Sequence, residues 1–263
     1  MGSRVAVALS ALALAACGGG EDNPGEGESF TAENWANLVA DPEAHKGASA
    51  EIVGRVFTEP ERDQEATYWQ MWAKPKTSDW NTVVGIKNPN FKISNNDYVR
   101  VKGTVAGELE AENAFGGKVS GVTIAANTSE VLTALEAATP ATKTLPSKQE
   151  NVGKDILVTV EKVEIAPDET RVFITVKNDS NSPFSLYQHT AKLVVGGQQH
   201  EAKFNPEGYP ALPSETVGGA TSNGVIVFDS FDANQDTQLH IDGYSNDLNI
   251  GKYGAVSLTF SWL

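Results

Sequence analysis

Apolar and polar positions alternate along most of this chain, and the alternation predicts strands rather than helices. Residues 98–105 show it best: Val99, Val101, Gly103 and Val105 share one parity, and Arg100, Lys102 and Thr104 the other. A period of two puts one face of a strand in a core and the other in solvent. The same pattern predicts strands at 52–57, 67–73, 82–86 and 118–124. Helical spacing is confined to the ends of this half. Trp35, Leu38 and Val39 predict a short helix capped by Thr31; Val131, Leu132 and Leu135 predict another capped by Ser129. Asp41-Pro42 followed by Gly47 reads as one capped helical turn. Gly54 and Gly103 stand inside the first and fourth strands, where a glycine marks the tight bend that a small closed barrel needs. Residues 30–138 are therefore expected to form a five-stranded barrel.

The second half, residues 152–263, is strand upon strand. Ile156, Val158 and Val160 share a parity that Val163 and Ile165 do not, which predicts a β-bulge at Glu161-Lys162. Val172, Ile174 and Val176 make the next strand, and residues 178–183 the turn after it. Gly196-Gly197 between 193–195 and 198–204 predicts a hairpin in which Val195 meets Gln198. The unbroken apolar run Val225-Ile226-Val227-Phe228 predicts a strand buried on both faces. Leu239 and Ile241 mark one more strand, and Val256, Leu258, Phe260 and Trp262 the last. Regular turns between so many short strands predict a β-sandwich. Between the halves, residues 139–151 carry Pro140 and Pro146 with no apolar period, and read as a linker.

The first half resembles an OB-fold, similar to the small bacterial OB domains of secreted proteins and lipoproteins. The residues that carry the likeness are Gly47, Ile52, Gly54 and Val56, then Asp97, Val99, Val101, Gly103 and Val105. The second half resembles the telokin-like, immunoglobulin-like domain of bacterial lipoproteins related to the immunoprotective extracellular protein family. The likeness lies in Val172-Phe173-Ile174-Thr175-Val176-Lys177-Asn178, in Lys192-Leu193-Val194 to Gly197 and in Gly224-Val225-Ile226-Val227-Phe228. The family usually has Pro-Gly-Glu ahead of that last strand; here Leu212-Pro213-Ser214-Glu215-Thr216 stands instead. Together they imply a mostly β protein, an OB-like barrel followed by an immunoglobulin-like sandwich. That resemblance implies a fold and an address, not a chemistry.

The address rests on the first residues. Arg4 precedes a short apolar run over 5–14, then Leu14-Ala15-Ala16-Cys17 and Gly18-Gly19-Gly20. Spanning a bilayer takes roughly 20 apolar residues, whereas this run has the length of a signal-peptide core. Residues 1–16 thus resemble a bacterial lipoprotein signal peptide with its lipobox. The resemblance implies cleavage before Cys17, a diacylglycerol thioether on its sulfur and acylation of the new N-terminus. The expected location is the extracytoplasmic face of a bacterial cell membrane, held by lipid; two or more acyl chains make a stable anchor. Residues 17–29, acidic and glycine-rich, are expected to be a tether, reaching about 20 Å. Cys17 is the only cysteine, so neither disulfides nor a cysteine-bound zinc enter the folded part.

The chain has 20 basic and 34 acidic side chains, a formal charge of −14. Both halves are acidic, which disfavours a nucleic-acid partner and flat docking on anionic lipid. Tyr68, Trp69, Trp72 and Trp80 form the one aromatic concentration. On an OB-like barrel they are candidate ligand contacts, because ring faces there stack on bases or sugars. Parity divides the first three: Tyr68 and Trp72 share one, Trp69 has the other, and one set must be core. Asp232, Asn234 and Asp236 mimic the opening of a calcium loop. Thr237 stands where an EF-hand needs glycine and Gly243 where it needs glutamate. A looser calcium site with Asp229 or Asp242 stays open. The histidines, His45, His189, His200 and His240, have no ligand spacing; the predicted hairpin sets His200 opposite Leu193. No nucleophile elbow, zinc-protease, P-loop or dinucleotide motif occurs, and scattered carboxylates alone do not make a hydrolase. The expectation is a non-catalytic interaction module without a cofactor, for an envelope protein, glycan or small ligand. The alternatives are a structural spacer and a calcium-stabilised adhesion module.

Overall fold

The computed structural model describes residues 27–112, 118–205, 207–232, 234–247, 249–251 and 254–262. The expected signal peptide, Cys17 and most of the tether lie outside the described residues. The chain divides into two compact units, residues 1–137 and 138–263.

In the first unit, β1 (Ser29–Phe30) leads into helix α1 (Trp35–Ala40). Then come β2 (Ser49–Val56), β3 (Glu61–Arg62), β4 (Thr67–Lys74), β5 (Asp79–Ile86), β6 (Tyr98–Glu112) and β7 (Lys118–Leu132), and helix α2 (Ala134–Ala137) ends the unit. The sheet order β2-β6-β7-β5-β4 closes on itself through β2–β4, which makes a five-stranded barrel. β5 and β7 pair in parallel, the other barrel strands antiparallel. Ile52, Trp69, Met71, Val84, Val99, Val101 and Ile124 fill the interior, and Trp35 and Leu38 of α1 join that core. The glycines do the expected work: a Cβ on Gly103 would lie 2.3 Å from the Ala125 carbonyl oxygen, so that crossing admits no side chain.

Three local expectations are corrected. Thr31 does not cap α1; its N–H donates to Asn34 Oδ1 at 2.7 Å, and Asn34 is the cap position. The run 41–47 forms turns rather than a helix, although Asp41 Oδ1 still accepts the Ala44 N–H at 3.1 Å. Ser129 starts no helix, because Val131 and Leu132 stay in β7 opposite Val99 and Tyr98. The following helix is capped by Thr133, whose hydroxyl accepts the Glu136 N–H while Glu136 accepts the Thr133 N–H at 2.8 Å, a reciprocal capping box.

In the second unit, β8 (Lys143–Leu145) and β9 (Lys148–Val152) precede β10 (Ile156–Ile165) and β11 (Thr170–Asn178). β12 (Phe184–Leu186), β13 (Lys192–Val195), β14 (Gln198–Glu201), β15 (Ala220–Phe228), β16 (Thr237–Ser245) and β17 (Ala255–Trp262) follow. The linker expectation for 139–151 therefore fails: β8 and β9 both pair with β10. Leu145 and Val152 bring apolar side chains to the core, and Pro146 sits in the gap between the two strands, where no ladder bond is lost. One sheet runs β15-β11-β10 with β8 and β9 at its edge; the other runs β14-β13-β16-β17, with β12 also on β16. The β10 ladder slips between Val160 and Lys162, at the predicted bulge. Val195 meets Gln198 across Gly196-Gly197, as the hairpin predicts. Val160, Ile174, Phe228, Leu193, Leu239 and Phe260 meet in one core between the sheets.

The free edge of β15 is covered by a strap, residues 203–205 and 207–212. The Lys203 N–H donates to the Val227 carbonyl and the Val225 N–H to the Pro210 carbonyl, both at 2.7 Å. Covering an edge removes a template for strand addition, and it buries Val225 and Val227 on the outer face. Gly224 is what lets the strap approach: its Cβ would lie 2.3 Å from the Leu212 nitrogen. Gly224→Ala should therefore lower stability by about 1–3 kcal/mol, read as a lower midpoint in urea, and open the 203–212 amides to hydrogen exchange.

Charged groups pin the strap from beneath. Arg171 on β11, 2 % exposed, donates through Nη1 to Glu169 at 2.7 Å and through Nη2 to Glu164 at 3.1 Å. Its Nη2 also reaches the Thr139 carbonyl at 2.9 Å, and the Tyr209 hydroxyl of the strap donates to Glu169 at 2.5 Å. Burial pushes the Tyr209 phenol upward and the Glu169 carboxylate adds to it, so the hydroxyl stays protonated. Burial alone would raise the Glu164 carboxyl, but hydrogen bonds from Lys162 and Arg171 outweigh it and hold the group below the usual carboxylate range. A depressed folded-state pKa contributes stability above the unfolded-state value, about 4.3 for Glu, and that contribution is lost as pH falls through the folded value. Urea midpoints measured from pH 6 down to 3 should drop at the acid end, and Glu164→Gln should flatten that drop.

Candidate binding face of the barrel

Strand β4 decides which aromatic residues face solvent. Its inward parity is Trp69, Met71 and Ala73, all buried, with Trp69 wholly enclosed. Trp69 is thereby removed as a ligand contact; its ring stacks on Phe91 at 5.6 Å within the barrel unit. The outward parity carries Tyr68 and Trp72, both half-buried. They lie four residues apart on one strand, so their Cα atoms are about 13 Å apart.

Closure of the barrel brings neighbours from other strands. The register sets Arg55 of β2 opposite Trp72, and Trp72 opposite Asn81 of β5. Phe57, just past the end of β2, stacks on Trp72 with centroids 4.0 Å apart and planes at 15°. The Arg55 guanidinium lies 5.5 Å from the Tyr98 ring centroid. The outward face thus sets Arg55 and Phe57 beside Trp72, with Tyr68 four residues along the strand, past buried Gln70. Phe57 and Arg55 were not singled out by sequence; the cross-strand register that joins them to Trp72 has no local signature.

Tyr68 is held in place by its own loop. Its hydroxyl donates to Asp63 Oδ2 at 3.1 Å, while Asp63 Oδ1 accepts the N–H groups of Glu65 and Ala66 at 2.8 and 2.7 Å. Those backbone bonds keep the Asp63 carboxyl low. Burial, then the bond to Asp63, pushes the Tyr68 phenol up. The pair is a neutral phenol on a carboxylate, with no titrating group near neutrality for acid–base work.

Trp80 belongs to a different setting. Its backbone sits at φ 61° beside Ser78 at φ 53°, an uncommon region for a bulky residue. Its ring packs partly against the barrel core, and the Lys74 ammonium lies 5.3 Å from its centroid. It closes the β4–β5 turn rather than sharing the Phe57–Trp72 platform.

The remaining candidates do not converge. Asp229 pairs with Lys203 at 2.6 Å, and Asp232 accepts the N–H of Asn234 at 3.0 Å; Asp236 contributes its carbonyl to the Gly196 N–H at 3.0 Å. Among the described residues no group of three or more His, Cys, Asp or Glu side chains is placed to hold a metal ion. His45 bonds Glu28 at 2.6 Å, His240 bonds Thr259 at 3.0 Å, and His200 pairs with Leu193. Among the described residues no helix is long and apolar enough to cross a membrane.

No family model matches the chain, and no curated protein matches it. Three solved structures show distant similarity. A protein of unknown function from Listeria monocytogenes aligns at 12 % identity and a TM-score of 0.36, over 50 % of this chain and 92 % of that one. The mitochondrial single-stranded DNA-binding protein Rim1 from S. cerevisiae aligns at 15 % and 0.25, over 33 % and 95 %. The GAE domain of GGA2p from Saccharomyces cerevisiae aligns at 14 % and 0.27, over 45 % and 96 %. At these scores none of them bears on what the chain binds.

Proposed function

We propose that this protein is a lipid-anchored, extracytoplasmic, non-catalytic binding module of the bacterial envelope, and that its barrel makes the contact. The observation that supports this reading is the outward platform of Phe57 stacked on Trp72, flanked by Arg55 and Tyr68. Aromatic residues and arginine are the types enriched where protein surfaces make strong contacts, and a ring face also packs against the C–H face of a sugar. The formal charge of −14 argues for a protein or glycan over a polyanion. The likeness of the two halves to OB and telokin-like domains of bacterial lipoproteins agrees with an envelope setting, and Cys17 supplies the anchor.

In-cell crosslinking of the full chain tests the reading. A specific partner or glycan adduct is expected with the unaltered protein, and its loss with Tyr68→Ala/Trp72→Ala. Identical adducts in both would move the contact off the barrel face, and none in either would favour a spacer that binds nothing. Cys17→Ser should shift the protein from the membrane fraction to the soluble one; unchanged fractionation would refute the anchor.

A further inference from the structure

The sandwich carries a cleft of about 550 Å³ between the strap, β15 and the 3₁₀ turn Gln188–Thr190, inside the roughly 300–1,000 Å³ range of small-ligand sites. Three features of it converge. Its floor is apolar: Val225 and Val227, buried where the strap crosses β15. Its rim is aromatic. Phe204, 87 % exposed, and His189 both line it, and the exposed Tyr187 ring, outside the lining, lies 5.9 Å from the His189 ring. Phe204 is the most exposed of the large apolar side chains among the described residues.

The third feature is charge. None of the twelve lining residues is acidic, in a chain with 34 acidic side chains, whereas Lys203 and His189 line the cleft. The one carboxylate bonded to Lys203 is Asp229, at 2.6 Å, and both side chains are half-exposed or more. An ammonium has three N–H donors and Asp229 accepts one, so donors remain for an incoming anion. An exposed pair of this kind also contributes little stability of its own, and a ligand can share it cheaply.

We infer that this cleft is a second binding site, distinct from the barrel face, for a small aromatic anion: a ring body between Phe204 and the His189 wall, and an anionic group on Lys203. The test uses the full chain and two fluorescent probes with the same kind of ring body. One is 8-anilinonaphthalene-1-sulfonate, which carries an anionic group, and the other is N-phenyl-1-naphthylamine, which does not.

The expected result is saturable binding with the sulfonate held tighter by about tenfold, the scale of one charge-assisted contact. Lys203→Gln should abolish that preference, and Phe204→Ser should weaken both probes about tenfold or more. Phe204 is too exposed to matter for folding, and unchanged melting temperatures keep the comparison clean. Trp72→Ala, on the barrel, should leave both affinities unchanged. Non-saturable binding, affinities indifferent to Lys203 and Phe204, or loss of binding in Trp72→Ala would each overturn the assignment. Because the probes read the sandwich and the crosslinks read the barrel, either proposal can fail without the other.

Discussion

Arg171→Ala should lower the stability of the sandwich by about 3–5 kcal/mol, the usual cost of breaking a buried ion pair from one side. The substitution removes the guanidinium that donates to both Glu164 and Glu169, leaving buried carboxylate charge at Glu169 that the neutral Tyr209 hydroxyl does not offset. With a urea slope of about 2 kcal/mol/M, the midpoint should fall by roughly 2 M. Tyr209→Phe keeps the ion pair and loses one hydrogen bond, so its cost should be nearer 1 kcal/mol. Arg171→Met combined with Glu169→Leu should recover much of the loss, because a buried pair replaced by apolar groups is often close to neutral. If the single and double variants unfold alike, the network does not hold the strap, and the packing of Val225 and Val227 does.

Trp69→Ala should be the most damaging single change in the barrel, about 3–5 kcal/mol, because the ring is 0 % exposed and packs among the inward side chains of β4 and β5. Trp72→Ala, on the outward face of the same strand, should cost well under half of that while abolishing the crosslink. Both changes delete the same side chain from the same strand. Only the face differs, so comparing urea midpoints and adduct yields separates a core role from a contact role. Trp69→Phe should be milder than its lost area suggests, since the Trp69 indole N–H is buried without a hydrogen-bond partner. Equal destabilisation by Trp69→Ala and Trp72→Ala would mean that the outward platform is structural.

How far the sequence reveals this depends on the range of the interaction. Residues 98–105 alternate because one strand faces two media, and that is visible locally; so are the parity switch at Glu161-Lys162 and the Gly196-Gly197 hairpin. Val131-Leu132 is not, since a two-residue apolar step fits either period until Val99 and Tyr98 are seen opposite. β9 looked like linker because an edge strand exposes nearly every side chain: Lys148, Gln149, Glu150 and Asn151 are all exposed, and only Val152 turns inward. The split of Tyr68 and Trp72 from Trp69 follows from parity alone, but which set is core does not. Phe57 reaches Trp72 only through cross-strand register, and Tyr209 reaches Glu169, forty residues away, only because the strap folds back over the sheet; no local pattern encodes either.

The parallel contact of β5 with β7 also sets the order in which the barrel can assemble. Residues 82–86 must find 122–126, and 49–55 must find 98–104, so two of the barrel's five strand pairings span 40 to 55 residues of chain. Such long loops are costly to close before their contacts form, and folds dominated by them take milliseconds to seconds rather than microseconds. A chain emerging from its N-terminus cannot seal the barrel until β7 has appeared. Until then, β5 offers an open edge of apolar residues to whatever is nearby. The sandwich is delayed likewise: its β10–β11, β13–β14 and β16–β17 pairs join neighbours in sequence, but 170–178 must find 220–228 and 192–195 must find 237–240. Each half is thus sealed only by strands made late within it: β7 in the barrel, β15 and β16 in the sandwich.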